Sequence, residues 1–136
     1  MKTKTKKQPV LSLISDTASL KLTEIDYLGG GAYSCRLLIK SSGFGCDRPF
    51  GFDNDEYFVS KARDVIHADG AEADLMDLQA DSYIRLKPFE NATILVCGFI
   101  VEETNLTQSL EFAFSVSKDM ASQFVVDFEQ MVRSNI

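Results

Sequence analysis

Tryptophan is missing from these 136 residues, histidine occurs once, and cysteine and proline occur three times each. Each scarcity closes a route. Three cysteines, an odd number without C-x-x-C or Cys/His spacing, argue against a disulfide framework and give no zinc signature. The one histidine, His67, is the only residue that a Ser-His-Asp or Cys-His arrangement has to draw on. Nothing approaches the roughly 18 consecutive apolar residues of a membrane span. The run Val10 to Ile14 falls short of the roughly 7 to 15 residues of a secretory h-region, and Asp16 follows it directly. A cytoplasmic, reducing location without membrane contact is the expectation.

Positive charge is also unevenly supplied. Lys2, Lys4, Lys6 and Lys7 stand together at the start, so the net charge of −6 for the chain becomes −10 for residues 8–136 once those four are set aside. Phosphate recognition needs clustered Lys and Arg, so no nucleic acid is expected on the folded part. Residues 1–8 read as a lysine-rich disordered tail. Residues 9–136, in a chain 45% hydrophobic with ten Phe, read as one domain with material for a proper core.

The stretch Ala92 to Val116 organises the rest. Ile94, Val96 and Ile100 alternate with Leu95, Cys97, Phe99 and Val101, so both faces of a first strand are apolar, the pattern of a central strand covered on both sides. Gly98 interrupts it. After a polar connection, Leu110, Phe112, Phe114 and Val116 alternate with Glu111, Ala113 and Ser115, as in a half-buried strand.

Upstream, Leu20 and Leu22 change parity to Ile25 and Tyr27, which predicts a bulge or the meeting of two short extended pieces. Gly29, Gly30 and Gly31 turn the chain into a strand with Tyr33, Cys35, Leu37 and Ile39 on one face. A phosphate cradle would have to open a helix instead. Phe44 to Asp53 predicts a third strand, which Pro49 places at an edge or marks with a bulge. Asp53-x-x-Glu56 is a capping box with Phe52 and Tyr57 as staple residues, and Phe58, Val59, Ala62, Val65 and Ile66 form an apolar helical arc ended by Gly70. Ala71 to Leu78 and Tyr83 to Phe89 predict two further strands. A C-terminal helix from about Lys118 to Arg133 has Ser117 as its N-cap, an arc of Met120, Phe124, Val125, Phe128, Met131 and Val132, and Val126 facing outward.

The predicted fold is therefore α+β: a mostly antiparallel sheet of about seven strands, one helix after the third strand and one at the C-terminus, without internal repeat. No cofactor and no metal is implied, because the carboxylates of Asp69-Gly-Ala-Glu72-Ala-Asp74 lack the spacing of a cation loop. Catalytic residues are not assigned, and His67 falls on the polar face of its helix. The carboxylates Asp69, Glu72, Asp74 and Asp77 compose an acidic face suited to a basic partner, and Phe99 and Val101 an apolar surface that either the N-terminal strands or a partner protein must cover. Self-association is left open.

The succession SLKLTEIDYL, YSCRLLIKS, FGFDNDEYFVSKARDVI, ADLMDL, SYIRLKPF, GFIVEE and LEFAFSVSKDMASQFVVDFEQM resembles small bacterial immunity proteins of the wall-associated-toxin type. The resemblance covers most of the chain from Ser19 and lies in the order and texture of its elements. It implies a non-catalytic module that binds and silences a partner toxin, often a nuclease, and it carries over no active-site residue. The alternative is a small-ligand-binding or enzymatic domain with a pocket between the first helix and the sheet.

Overall fold

The computed structural model describes residues 10–43, 45–53, 56–67, 71–78, 81–103 and 107–135, with the main chain only at 56, 102, 103 and 107. Four strands and a helix follow one another twice: β1 (Leu11–Ile14), β2 (Ala18–Gly29), β3 (Ala32–Ser41), β4 (Gly45–Asp53), α1 (Glu56–Ile66), then β5 (Ala73–Met76), β6 (Tyr83–Pro88), β7 (Thr93–Glu103), β8 (Thr107–Ser117), α2 (Lys118–Ser134). Each set of four strands is an antiparallel meander, β1-β2-β3-β4 in one sheet and β5-β6-β7-β8 in the other.

Three expectations need correction. Among the described residues there are two sheets rather than one and eight strands rather than about seven, and the first helix follows the fourth strand. The strand missed is β1, the short run after the lysines. Four residues are too few for periodicity to separate a strand from a stray apolar run, and only its ladder, Leu11↔Leu22 through Ile14↔Ser19, settles it. The repeated ββββα order went unseen because the two halves share topology without an evident sequence period.

Local chemistry explains most elements. The parity change in β2 is a register shift between Thr23 and Asp26, with Glu24 at φ 49°. The three glycines have φ of 91°, 63° and 85°, a left-handed run that side chains disfavour, and they make the β2–β3 turn. Pro49 lies on β4, an edge strand, where a missing N–H costs least. Helix α2 is capped by Ser117, whose Oγ accepts from the Met120 N–H at 3.1 Å. Helix α1 opens at Glu56, while Asp53 ends β4; the Glu56 side chain, Asn54, Asp55 and Gly70 lie outside the described residues, and with them the capping box and the C-cap.

One hydrophobic cluster joins the inner faces of both sheets to both helices. Leu11, Leu13, Leu20, Leu22, Tyr33, Leu37, Ile39, Phe50 and Phe52 line it from the first sheet, and Leu75, Ile84, Leu86, Ile94, Val96, Ile100 and Phe112 from the second. Phe128 of α2 sits among the rings of Phe52, Phe58 and Phe124, at centroid separations of 5.4, 5.2 and 6.5 Å. Val126 faces out at 44% exposure, as its helical angle requires. Gly98 shares the inward parity of Val96 and Ile100, and the Phe112 ring and the Tyr83 carbonyl occupy the space that a Cβ would need there.

A polar stitch ties the sheets together where β4 meets the second meander. The Leu78 N–H donates to the Gly51 carbonyl at 2.9 Å. The Gly51 N–H donates to Asp77 Oδ1 at 3.1 Å, and the Val101 N–H to Ser82 Oγ at 2.9 Å. Arg48 donates to the Val101 carbonyl and lies 4.0 Å from Asp77 Oδ2. Asp77 and Ser82 are both buried, and these bonds satisfy groups that would otherwise be stranded in the core.

Candidate interaction surface

The helices cover one face of the second sheet and leave the other open. Strand alternation sends Met76, Tyr83, Arg85, Lys87, Leu95, Cys97 and Phe99 to that open face, and register arranges them in rows. One row runs Met76, Tyr83, Phe99, Glu111. The next runs Asp74, Arg85, Cys97, Ala113, and Lys87, Leu95 and Ser115 follow. Tyr83, Leu95, Cys97 and Phe99 are half-buried, and Met76 is 45% exposed. An aromatic and aliphatic centre thus lies on the open surface of the sheet.

Charge frames this centre in matched pairs. Arg85 Nε donates to Asp74 Oδ1 at 2.6 Å and Nη2 to Oδ2 at 3.0 Å, a bidentate fork between residues directly opposed across the ladder. The hydrogen bond to Asp74 pushes the Arg85 pKa up, and its guanidinium lies 4.7 Å from the Tyr83 ring centroid. Lys87 Nζ stands 3.4 Å from Glu72 Oε2. The Cys97 thiol is pushed up by burial, with Arg85 and Lys87 opposing.

The predicted site residues separate on this geometry. Phe99 is at the centre of the open face. Glu72 and Asp74 lie at its border, but as partners of Lys87 and Arg85 they are not a bare acidic patch. Asp77 belongs to the buried stitch, at 6% exposure, because strand parity turns it inward with Ala73 and Leu75; its assignment to the surface is corrected. Val101 is likewise buried, at 9%. Asp69 and the side chains of Glu102 and Glu103 lie outside the described residues. The expectation that β7 is covered on both faces also fails, since the N-terminal strands add their sheet to the inner core instead of folding over Phe99. Leu95 and Cys97 were legible with Phe99 as apolar residues that need cover, whereas Tyr83 and Arg85 were missed as their neighbours. Their parities were legible, but only register brings two strands into one row.

Elsewhere, His67 is exposed just past α1. Among the described residues no three His, Cys, Asp or Glu gather as a metal would need. The Cys35 thiol is pushed up to about 12, first by burial and then by the charge of Asp77. Phe58, Val59, Ala62 and Val65 fill the space between α1 and the core. A cleft of about 410 Å³ opens between β4 and β8, lined by residues that include Cys46, Arg48, Ile100 and Leu110. No helix of the described residues is long and apolar enough to cross a membrane.

No family model matches the chain, and no curated protein matches it. Among solved structures it is similar to the plant transcriptional regulator PBF-2, with a TM-score of 0.51 and 11% identity, over 95% of this chain and 82% of that one. At that identity the likeness is one of fold alone.

Proposed function

We propose that the chain is a non-catalytic protein-binding module whose docking face is the open face of the second sheet. The observation that carries the reading is the partly exposed row of Tyr83 and Phe99 beside Leu95 and Cys97, apolar side chains that lie outside the core cluster on the open face of the sheet. Aromatic side chains in the middle of a flat face are the usual anchors of a protein interface, and a charged border excludes water around them. The paired border is electrically balanced, which fits a partner with its own apolar knob and alternating charges better than a polyanion. Cations already engaged by Asp74 and Glu72 are poorly placed to take up phosphate.

The partner class follows from the net charge and from the resemblance to bacterial immunity proteins: a basic toxin or nuclease, bound and silenced in the cytoplasm. Attraction to it comes from the whole acidic domain rather than from Glu72 and Asp74. The fold shared with a transcriptional regulator leaves function open, since function lies in sites grafted on folds. The alternative of a ligand pocket between α1 and the sheet finds that space filled by core side chains.

The test is direct binding between the purified chain and a partner recovered by co-purification. Phe99→Lys is expected to weaken it by at least about thirtyfold, the loss typical of a central anchor. Val126→Lys, on the exposed side of α2, is the control and leaves it unchanged. Equal affinities for wild type and Phe99→Lys would remove the open face from consideration.

A further inference from the structure

The two sheets have four edge strands, β1, β4, β5 and β8, and an edge with unpaired amides and carbonyls invites another strand unless it is blocked. Three are blocked. Strands β1 and β5 have only four residues each. Strand β4 carries Pro49 and Asp47, and Asp77 and Leu78 already occupy its edge at Gly51. Strand β8 has none of these protections. Its eleven residues, TQSLEFAFSVS, pair with β7 in unbroken register from Thr93↔Ser117 to Glu103↔Thr107. It contains no proline, glycine, lysine or arginine, and Glu111 is its one charge.

The core is also unfinished along this edge. Leu110 and Phe114 share the inward parity of Phe112 and Val116 but remain only partly buried. The cleft of about 410 Å³ runs beside the start of the same strand, along Gln108, Ser109 and Leu110.

We propose that the occupant of this edge is a second copy of the chain, adding its own β8 antiparallel about a two-fold axis to make one continuous sheet. The strand is complementary to itself. With the axis at Ala113, Phe112 of each copy faces Phe114 of the other and Leu110 faces Val116, so the unfinished inner face is completed by aromatic and aliphatic pairs. On the outer face Glu111 meets Ser115 and Ser109 meets Ser117, so the lone carboxylate never opposes its own copy. The small exposed side chains of Ser109, Ala113 and Ser115 leave room for close approach.

Mass measured by light scattering and by sedimentation, from micromolar to millimolar chain concentration, tests this. Wild type is expected to reach twice the 15.1 kDa chain mass. Ala113→Lys puts two like charges at the axis from an exposed position, and should weaken the dimer by at least about tenfold while leaving the melting temperature unchanged at concentrations where both proteins are monomeric. Hydrogen exchange should slow along β8 with rising concentration in wild type alone. A wild type that stays monomeric throughout the range overturns the proposal, and so does a dimer whose affinity Ala113→Lys leaves unaltered.

Discussion

Gly98→Ala tests how the buried and open faces of β7 are linked. A Cβ built there would lie 2.3 Å from the Tyr83 carbonyl oxygen and 2.8 Å from Cε1 and Cζ of Phe112. The ring is a side chain, but the carbonyl belongs to the main chain of β6, next to Ile84, the residue paired with Gly98. Relief therefore requires β6 and β7 to separate locally. Overpacking in a core costs about 1 to 3 kcal/mol, and a clash with main chain belongs at the top of that range. About 3 kcal/mol corresponds to a fall of about 10 °C in melting temperature for a chain of this size. Urea and thermal melts against Gly43→Ala provide the scale, because a Cβ at Gly43 meets nothing within 4 Å. Combining Gly98→Ala with Phe112→Ala separates ring from carbonyl: Phe112→Ala alone removes a buried ring at about 3 to 5 kcal/mol. If the carbonyl is the obstacle, the double variant is less stable than Phe112→Ala. A Gly98→Ala protein within about 0.5 kcal/mol of wild type would refute the reasoning, since surface changes alone span that much.

Phe128→Ala should cost about 4 to 5 kcal/mol because it removes a ring packed on three others, whereas Phe114→Ala, at a half-buried site, should cost less and Val126→Ala under about 0.5 kcal/mol, as read by urea melts. Ala92, at φ 58° in the turn into β7, is in a conformation that costs an L-residue about 1 to 2 kcal/mol; Ala92→Gly should therefore stabilise by up to about 1 kcal/mol after its larger unfolded-state entropy, and a loss of stability in the same melts would reject the strain. The folded Cys35 thiol is raised from 9.0 to about 12, so its contribution to stability is complete below pH 9 and is lost as pH climbs toward 12. Wild type should lose stability faster than Cys35→Ala across that alkaline window, and parallel curves would show that Cys35 ionises as readily folded as unfolded.

The amino-acid sequence determined what rests on near neighbours. Periodicity assigned the inward residues of β3 and β8 and the arcs of both helices, because a side chain's face follows from its own backbone, whereas β7, apolar on both faces, left its inward face open. Parity located the β2 bulge, and local capping chemistry located Ser117. Tertiary structure decided what depends on chain segments far apart. The division into two sheets, the identity of β1 and the burial of Asp77 all rest on contacts between distant segments, which one strand's pattern does not encode. The candidate surface has the same origin. Phe99 was legible as an apolar residue, and Glu72 and Asp74 as carboxylates projecting together. Only register set Tyr83 beside Phe99 and Arg85 opposite Asp74, turning a supposed acidic face into an apolar centre framed by ion pairs, because cross-strand neighbours are fixed by the ladder and not by sequence distance.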